Sequence, residues 1–369
     1  MTVSPPGSSR MTSPHTTAFP RRAALGALAG AAALGAAGCS VFSDEGRSQY
    51  ERAQGHSDAT ASTDAEGGPS PKPSELPYDV RPLLAPAKKY FGVALDGAPA
   101  SVAPLARFAK RAGKKPDLVE FYSAWGDAYE TRLAVNAWDY GALPYIAWEP
   151  FKKTLRQIGA GKDDTYIRRF ARDVRDLNQP VAISFAHEMN GHWYPWGSKK
   201  ASPAEFVRAW RHLHDVFADE GATQVIWVWS PNVINPVPDV RLRPYWPGDA
   251  YVDWVGVIGY YGADGPATFR TLYGPTMDEV RAFTKKPFLI AETASEDTPR
   301  KPADIHDLFT GVEERDDVLG HVWFDFDKEA DWRIASDPAA EAAYRREAAA
   351  PSYGFDVRAA GGKGGGAGR

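Results

Sequence analysis

The sequence of 369 residues contains a single cysteine, Cys39. One thiol can form no disulfide within the chain, and it cannot build a cysteine-based metal site. We therefore expect the fold to be stabilised by its hydrophobic core alone.

A strong charge of either sign is also missing. The chain has 43 Lys and Arg against 47 Asp and Glu, a formal net charge of −4, and the two signs are interspersed. This balance leaves no basic surface of the kind that binds nucleic acid. Aromatic side chains are plentiful, with 12 Trp and 16 Tyr, so their positions along the chain carry information.

The N-terminal region has the parts of a signal peptide. Arg21-Arg22 precedes a small, apolar run over residues 23–38, and Cys39 follows it. The run is too short for a transmembrane helix. Arg21-Arg22 resembles a twin-arginine export signal, and Ala36-Ala37-Gly38-Cys39 resembles a bacterial lipobox with Ala in place of Leu at its first position. The alternative is a free cysteine in a signal region.

These resemblances imply cleavage before Cys39 and lipidation of its thiol. We expect residues 1–39 to be a signal peptide with a lipobox, and the mature protein to be lipid-anchored at the outer face of the cell membrane, or secreted. The anchor would be the only membrane contact.

Composition divides the rest of the chain into three parts. Residues 40–77 are rich in Ser, Asp, Gly, Pro and Glu, which predicts a disordered tether. Residues 356–369 form a low-complexity tail, also predicted to be disordered. Residues 78–355 have the usual size of one α/β barrel, so we expect one catalytic domain, acting as a monomer.

Eight short apolar runs alternate with segments of helical periodicity. Most runs are continuously apolar, as is typical of parallel strands buried on both faces. The pattern predicts an α/β fold, a (β/α)8 TIM barrel. A doubly wound open sheet is the alternative, but no Gly-rich phosphate loop follows the first run. The runs are 90–95, 118–125, 143–148, 181–186, 225–229, 252–261, 288–291 and 320–326, and the clearest helical segments are 163–177, 202–221, 268–284, 303–315 and 338–349.

Aromatic rings and carboxylates recur where these runs end, which in a parallel barrel is the active-site rim. Flat rings stack on sugar faces, and a few polar groups hold the hydroxyls, so the composition predicts a carbohydrate site. Core packing is the alternative for the tryptophans that end strands. The candidate substrate-binding residues are Trp125, Trp148, Glu149, Trp193, Trp196 and Trp323.

Two of the rim carboxylates are the candidate catalytic groups. Glu188 ends the fourth run and Glu292 ends the seventh, so both can face one central cleft. A retaining glycosidase needs two carboxyls about 5–5.5 Å apart, one to protonate the leaving oxygen and one to attack the anomeric carbon. Rim salt bridges are the alternative role for each glutamate.

The neighbouring residues suggest a role for each carboxylate. Tyr260 or Tyr261 could donate a hydrogen bond to Glu292 and hold it ionised as the nucleophile. Glu188 lies beside His187 and several aromatic rings, which with the second carboxylate should raise its pKa and suit a general acid. Asn190 could contact the substrate or cap the turn that follows it.

Metal and cofactor chemistry has little support in the sequence. His187 and His192 are five residues apart, on a segment with Gly and Pro, whereas the zincin pattern needs His residues at i and i+4 on a helix. No Lys ends an apolar run, which argues against a Schiff-base enzyme. We expect no cofactor and no catalytic metal, because two carboxyls supply both proton transfer and covalent catalysis.

Three motifs resemble glycoside hydrolase family 26. The first is His187-Glu188-Met189-Asn190-Gly191 followed by Trp193-Tyr194-Pro195-Trp196-Gly197. The second runs from Tyr245 to Gly256, and the third is Asp331-Trp332-Arg333-Ile334.

The resemblance, with Ile290-Ala291-Glu292, covers roughly residues 90–344 and implies a (β/α)8 barrel with retaining endo-hydrolysis, mostly of β-1,4-mannan. It implies Glu188 as acid/base and Glu292 as nucleophile. It also implies that His187 orients the site, Tyr260 or Tyr261 supports the nucleophile, and Trp193 and Trp323 are sugar platforms.

One position departs from the family pattern. Many family members have Arg three residues before the motif histidine, and here that residue is Ser184. The change weakens the transfer of mannan specificity. We expect a retaining endo-β-glycosidase that acts on an extracellular β-linked polysaccharide, foremost an endo-β-1,4-mannanase. The alternatives are a β-1,3-1,4-glucanase or a β-1,3-xylanase of the same family, or a tethered barrel that binds polysaccharide without turnover.

Overall fold

The computed structural model describes residues 76–360, which contain eight strands that alternate mainly with helices. The predicted signal peptide, Cys39 and nearly all of the tether lie outside the described residues, as do the last nine residues of the tail. In chain order the elements are α1 (Arg81–Leu84), β1 (Tyr90–Leu95), α2 (Val102–Ala112), β2 (Leu118–Ala124), α3 (Thr131–Tyr140), β3 (Leu143–Glu149), α4 (Leu155–Gly159), α5 (Asp164–Leu177), β4 (Val181–Phe185), α6 (Pro203–Asp219), β5 (Val225–Trp229), two 3-10 turns (Arg243–Tyr245 and Asp249–Tyr251), β6 (Trp254–Ile258), α7 (Phe269–Leu272), α8 (Gly274–Arg281), β7 (Phe288–Thr293), α9 (Lys301–Glu313), β8 (Val318–Asp325), α10 (Pro338–Ala348) and α11 (Val357–Ala360).

The eight strands form a closed parallel barrel in sequential order. Closure is made by β8 against β1, where pairing runs from Tyr90 opposite Gly320 to Leu95 opposite Asp325. Nearly every strand residue is buried, which explains why the runs are continuously apolar rather than alternating. The prediction of a (β/α)8 TIM barrel is confirmed.

The crossover from β5 to β6 differs from the predicted alternation. It has no α-helix and crosses the outside of the barrel through the two 3-10 turns. Five prolines between residues 231 and 247 remove the N–H groups that a helix there would need. The crossover is fixed instead on α6, where Trp210 Nε1 donates to the Tyr251 carbonyl at 2.9 Å and Arg211 Nε to the Pro247 carbonyl at 2.7 Å.

The segment predicted as one helix over residues 268–284 is two helices. Pro275, near the start of α8, cannot continue a helix from α7 because its ring excludes the preceding turn's carbonyl. Both helices stay on the outer layer, so the strand positions are unchanged.

The ordered domain extends slightly beyond the predicted boundary at residue 355. Residues 357–360 form α11, and Val357 is fully buried. Among residues 76–360, no helix is long and apolar enough to cross a bilayer.

Candidate active site

Glu292 lies in β7 at the C-terminal end of the barrel and is buried. The hydroxyl of Tyr122, from β2, donates to its Oε2, and the hydroxyl of Tyr260, just after β6, donates to its Oε1. Both oxygens of the carboxylate are therefore held by phenol donors, which favour its ionised form.

The structure decides between the two tyrosines considered from the sequence. Tyr260 contacts Glu292, whereas the Tyr261 hydroxyl points outward and donates to Asp307 Oδ2 at 2.9 Å on α9. The alternation of side chains beyond β6 accounts for this, since neighbouring residues face opposite sides. Tyr261 therefore helps to fix α9, and Tyr260 is the residue at the site.

Tyr122 was not among the predicted site residues, because only strand ends were considered. It lies inside β2 with Glu120 two residues earlier, and residues two apart on a strand share a face. Two polar residues at that spacing in a buried strand were the available signal.

Burial raises the pKa of Glu292, and several groups oppose that effect. The hydrogen bonds from Tyr122 and Tyr260 lower it, and so does the charge of Lys328 on the loop after β8. These interactions favour the anion, which is the form a nucleophile needs.

Glu188 lies three residues past the end of β4 and is 2% exposed. Trp193 Nε1 donates to its Oε2 at 3.0 Å, and Asn232 Nδ2 donates to its Oε1. Its backbone N–H donates to the Ser230 carbonyl at 2.7 Å. Glu188 has φ +55° and Ala186 has φ +50°, so left-handed backbone directs this carboxylate to its position.

Asn190 supports the site through Asn232. Its Nδ2 donates to the Asn232 carbonyl at 2.8 Å, and its Oδ1 accepts the Asn232 N–H at 2.9 Å. This pair of hydrogen bonds fixes Asn232, whose amide then reaches Glu188. Asn190 therefore positions Asn232, which contacts the acid/base candidate. Asn232 was not among the predicted site residues.

His187 is enclosed by aromatic rings below Glu188. Its Nε2 lies 3.3 Å from the Tyr194 hydroxyl and 4.0 Å from Glu149 Oε1. Burial lowers the pKa of His187 to about 3, so the imidazole is neutral and the contact with Glu149 is not an ion pair. Trp196 Nε1 donates to the His187 carbonyl at 2.7 Å, and its ring stacks on Tyr194 at 4.4 Å.

The predicted platforms divide into two groups. Trp193 is half-buried and lies at the site. Trp125, Trp148 and Trp323 are buried and face the helices instead. Trp148 stacks on Phe170 of α5 at 4.3 Å and on Trp125 at 4.8 Å, and Trp323 packs against Tyr344 of α10 at 5.1 Å. The structure does not bring these three rings into the cleft.

A different tryptophan lies beside the nucleophile candidate. Trp332, in the third sequence motif, packs on Tyr260 with ring centroids 5.0 Å apart. Its carbonyl accepts a hydrogen bond from Trp323 Nε1 at 3.1 Å. Trp323 thus holds the loop that carries Trp332 rather than presenting a face to the cleft.

The barrel interior below the two carboxylates contains a third one. Glu120 is 3% exposed, and its Oε2 has no hydrogen-bond partner among the described residues. Burial raises its pKa well above the usual range, and the charges of Glu292 and Glu149 raise it further. These effects favour the protonated form of Glu120.

Ser184, at the position of the family arginine, belongs to the same interior. Its hydroxyl donates to Ser230 Oγ at 2.7 Å, and the Tyr145 hydroxyl lies 3.4 Å from that same oxygen. A hydroxyl network thus fills this position with its polar groups paired.

Within residues 76–360, no group of three or more His, Cys, Asp or Glu residues is arranged to hold a metal ion. His192 packs edge-on against Trp193, with ring centroids 5.3 Å apart. What the site does bring together is a pair of buried carboxylates at the ends of β4 and β7, each with two side-chain donors. Such a pair is suited to acid-assisted nucleophilic substitution.

Known proteins match the part of the chain that contains both carboxylates. Residues 157–294 match the model of glycosyl hydrolase family 26. The chain is 31% identical over 271 residues to Endoglucanase H of Acetivibrio thermocellus. This alignment covers 69% of this chain and 30% of that protein. It is 32% identical over 128 residues to a mannan endo-1,4-beta-mannosidase of Bacillus subtilis, covering 31% of this chain and 34% of that one.

Solved structures share the fold. A GH26 beta-mannanase of Bacteroides ovatus superposes with a TM-score of 0.53 at 14% identity, covering 74% of this chain and 92% of that one. GH26C of Muricauda sp. gives a TM-score of 0.56 at 16% identity, covering 76% and 91%. The chain spans about a third of the length of the two curated relatives named above.

Proposed function

We propose, on the premise that residues 157–294 carry the sequence of glycosyl hydrolase family 26, that this protein is a retaining endo-β-glycosidase. The observation that carries the proposal is the pair Glu188 and Glu292, buried at the ends of β4 and β7 with two donors each. Both proton transfer and covalent catalysis can come from this pair, so no cofactor is required.

The reaction has two displacement steps. Glu292 attacks the anomeric carbon while Glu188 protonates the departing glycosidic oxygen, which forms a covalent glycosyl-enzyme. Glu188 then takes a proton from water as the water attacks the same carbon and releases Glu292. Tyr122 and Tyr260 hold the nucleophile, and Trp193 and Asn232 hold the acid/base.

The first substrate that we propose is an extracellular polysaccharide with a β-1,4-mannan backbone. The name of the Bacillus subtilis relative supports this choice. A β-glucan is the second candidate, because the relative that aligns over 69% of the chain is named an endoglucanase. Ser184, in place of the arginine that many family members have, removes one feature that would favour mannan over glucan.

The experiment is product analysis by the purified protein on β-mannan, galactomannan, β-1,3-1,4-glucan and β-1,3-xylan. We expect internal cleavage of one polymer, release of products with the β-anomer first in ¹H NMR, and loss of turnover in Glu188→Ala and Glu292→Ala. Binding to a polymer without turnover would favour the non-catalytic barrel. Near wild-type turnover in both variants would contradict the assignment of the carboxylates.

We propose further that the domain is exported and lipid-anchored through Cys39. The support is the order Arg21-Arg22, apolar run, Ala36-Ala37-Gly38-Cys39. Labelling of cells with a fatty-acid probe should mark the wild type and not Cys39→Ser. An unlabelled wild type would contradict the anchor without affecting the catalytic proposal.

A further inference from the structure

Lys328 lies on the loop between β8 and α10, beside the site but outside every predicted set of site residues. Its Nζ atom is buried and lies over two rings, 5.0 Å from the ring centroid of Phe326 and 5.4 Å from that of Phe324. Ring faces attract a cation, and these two hold the ammonium in one place. A long, flexible side chain is thereby given a defined position.

The same rings connect Lys328 with the nucleophile candidate. Phe324 packs edge-on against Tyr260, with centroids 5.9 Å apart, and the Tyr260 hydroxyl donates to Glu292. The ammonium, the phenol and the carboxylate therefore belong to one packed group, carried by the segments that follow β8 and β6 and by β7.

The charges around Lys328 are acidic and come from several elements. The carboxylates that act on it are Glu329 on its own loop, Glu292 on β7, Glu149 at the end of β3 and Asp96 after β1. Glu292 in turn feels the charge of Glu329. The charge of Glu329 favours protonation of Glu292, and the charge of Lys328 opposes it.

We propose that Lys328 is an electrostatic positioning residue for the nucleophile, whose ammonium, seated on Phe324 and Phe326, keeps Glu292 ionised in a rim crowded with carboxylates. The proposal rests on the function proposed above. It assigns Lys328 a positioning role that acts through the charge of Glu292.

The pKa directions agree with this role. Burial raises the pKa of Glu292, and Lys328 lowers it. Burial lowers the pKa of Lys328, and the surrounding carboxylates, Glu292 among them, raise it. Removal of the ammonium should raise the pKa of Glu292, and the acid limb of the pH–kcat/KM profile, which reports nucleophile ionisation, should move to higher pH.

The test uses Lys328→Met, which keeps the length of the side chain but removes the charge, and Lys328→Arg, which keeps the charge. Lys115→Met is the matched control, because Lys115 also lies over an aromatic ring, at 4.4 Å from Tyr140, but at the opposite end of the barrel. The titration of Glu292 is followed by ¹³C NMR of protein labelled at glutamate Cδ, with its resonance assigned by its loss in Glu292→Gln. Thermal midpoints check that each variant is folded.

We expect Lys328→Met to raise the pKa of Glu292 and the acid limb of kcat/KM by about one pH unit or more. Lys328→Arg should restore most of the shift, and Lys115→Met should cause none. An unchanged Glu292 titration in folded Lys328→Met overturns the proposal. So does an equal loss of activity in Met and Arg variants without a titration shift, because that result describes a packing role.

The two proposals can fail separately. A wild type inactive on every polysaccharide contradicts the proposed function, yet the NMR titration still reports whether Lys328 controls Glu292. Full activity of the wild type with an unshifted titration in Lys328→Met contradicts the inference alone.

Discussion

The two phenol hydroxyls on Glu292 make separate contributions to one carboxylate. We expect Tyr122→Phe and Tyr260→Phe each to lower kcat/KM by roughly ten- to a hundredfold, because a hydrogen bond to a charged group contributes about 1.5–3 kcal/mol. Each loss should also move the acid limb of the pH–rate profile upward, since both donors lower the pKa of Glu292. Steady-state kinetics across pH measures both effects.

Tyr261→Phe is the matched control. It removes the same atom from the next residue, but that hydroxyl is bonded to Asp307 and not to Glu292. Its effect should fall on thermal stability and leave the pH–rate profile in place. A shifted profile in Tyr261→Phe would contradict the separation of the two tyrosines.

At the residue scale, the two candidate carboxylates were easier to find in the sequence than the side chains that contact them. Glu188 and Glu292 end apolar runs, and a carboxylate there is conspicuous. Tyr122 is hidden inside a strand, and Asn232 and Lys328 come from loops whose path depends on tertiary packing. Trp148 and Trp323 were predicted to bind substrate but face the helices, because a position at the end of a strand does not determine which side of the sheet the ring faces.

Glycine is required at one point of barrel closure, where β8 meets β1. Gly320 has φ +149°, and a Cβ there would overlap the Tyr90 carbonyl oxygen and lie 2.6 Å from the Tyr90 backbone nitrogen. Neither backbone can move without breaking the ladder. We expect Gly320→Ala to lower the free energy of unfolding by roughly 3 kcal/mol or more, the upper end of overpacking effects.

Gly274→Ala provides the comparison for this element. A Cβ on Gly274, at the start of α8, would meet no atom within 4 Å. Urea denaturation should show this variant unchanged or stabilised by up to about 1 kcal/mol. Similar losses in the two variants would contradict a specific role for Gly320.

The elements themselves were predicted with unequal success. The strands were found because continuous apolar stretches that begin at or after a proline are typical of buried parallel strands. The helix-free crossover between β5 and β6 was not anticipated, although its prolines were visible, because fold-level regularity suggested a helix in every interval. The prolines of this crossover cannot donate the backbone hydrogen bonds of a helix, so no helix forms there despite the alternation elsewhere.

At the scale of the whole molecule, one buried carboxyl connects β1 with the C-terminal segment of the described chain. Asp117 Oδ1 accepts the Phe91 N–H at 2.8 Å, and its Oδ2 accepts the Phe355 N–H at 3.0 Å. Burial raises the pKa of Asp117 to about 7 from its ordinary value of 3.8. The folded protein therefore retains a proton between about pH 4 and 7 that the unfolded chain releases.

Because of Asp117, stability should fall as the pH rises through this window. The contribution of this group is fully present below about pH 4, and it is lost as the pH rises to about 7, by up to about 1.4 kcal/mol per pH unit. Denaturant titrations of the wild type and Asp117→Asn across that window should give different slopes, with the flatter one in the variant. Parallel slopes would exclude Asp117 as the source.

The left-handed backbone at Glu188 affects the thermal stability of variants at this position independently of their activity. A residue with a Cβ loses roughly 1–2 kcal/mol in that conformation, and glycine is free of the penalty. Although alanine is normally the more stabilising of the two, Glu188→Gly should melt above Glu188→Ala, with neither active. Among variants at this position, a screen for thermal survival alone would then select glycine over alanine although both lack the acid, so any such screen of this barrel needs an activity check in every round.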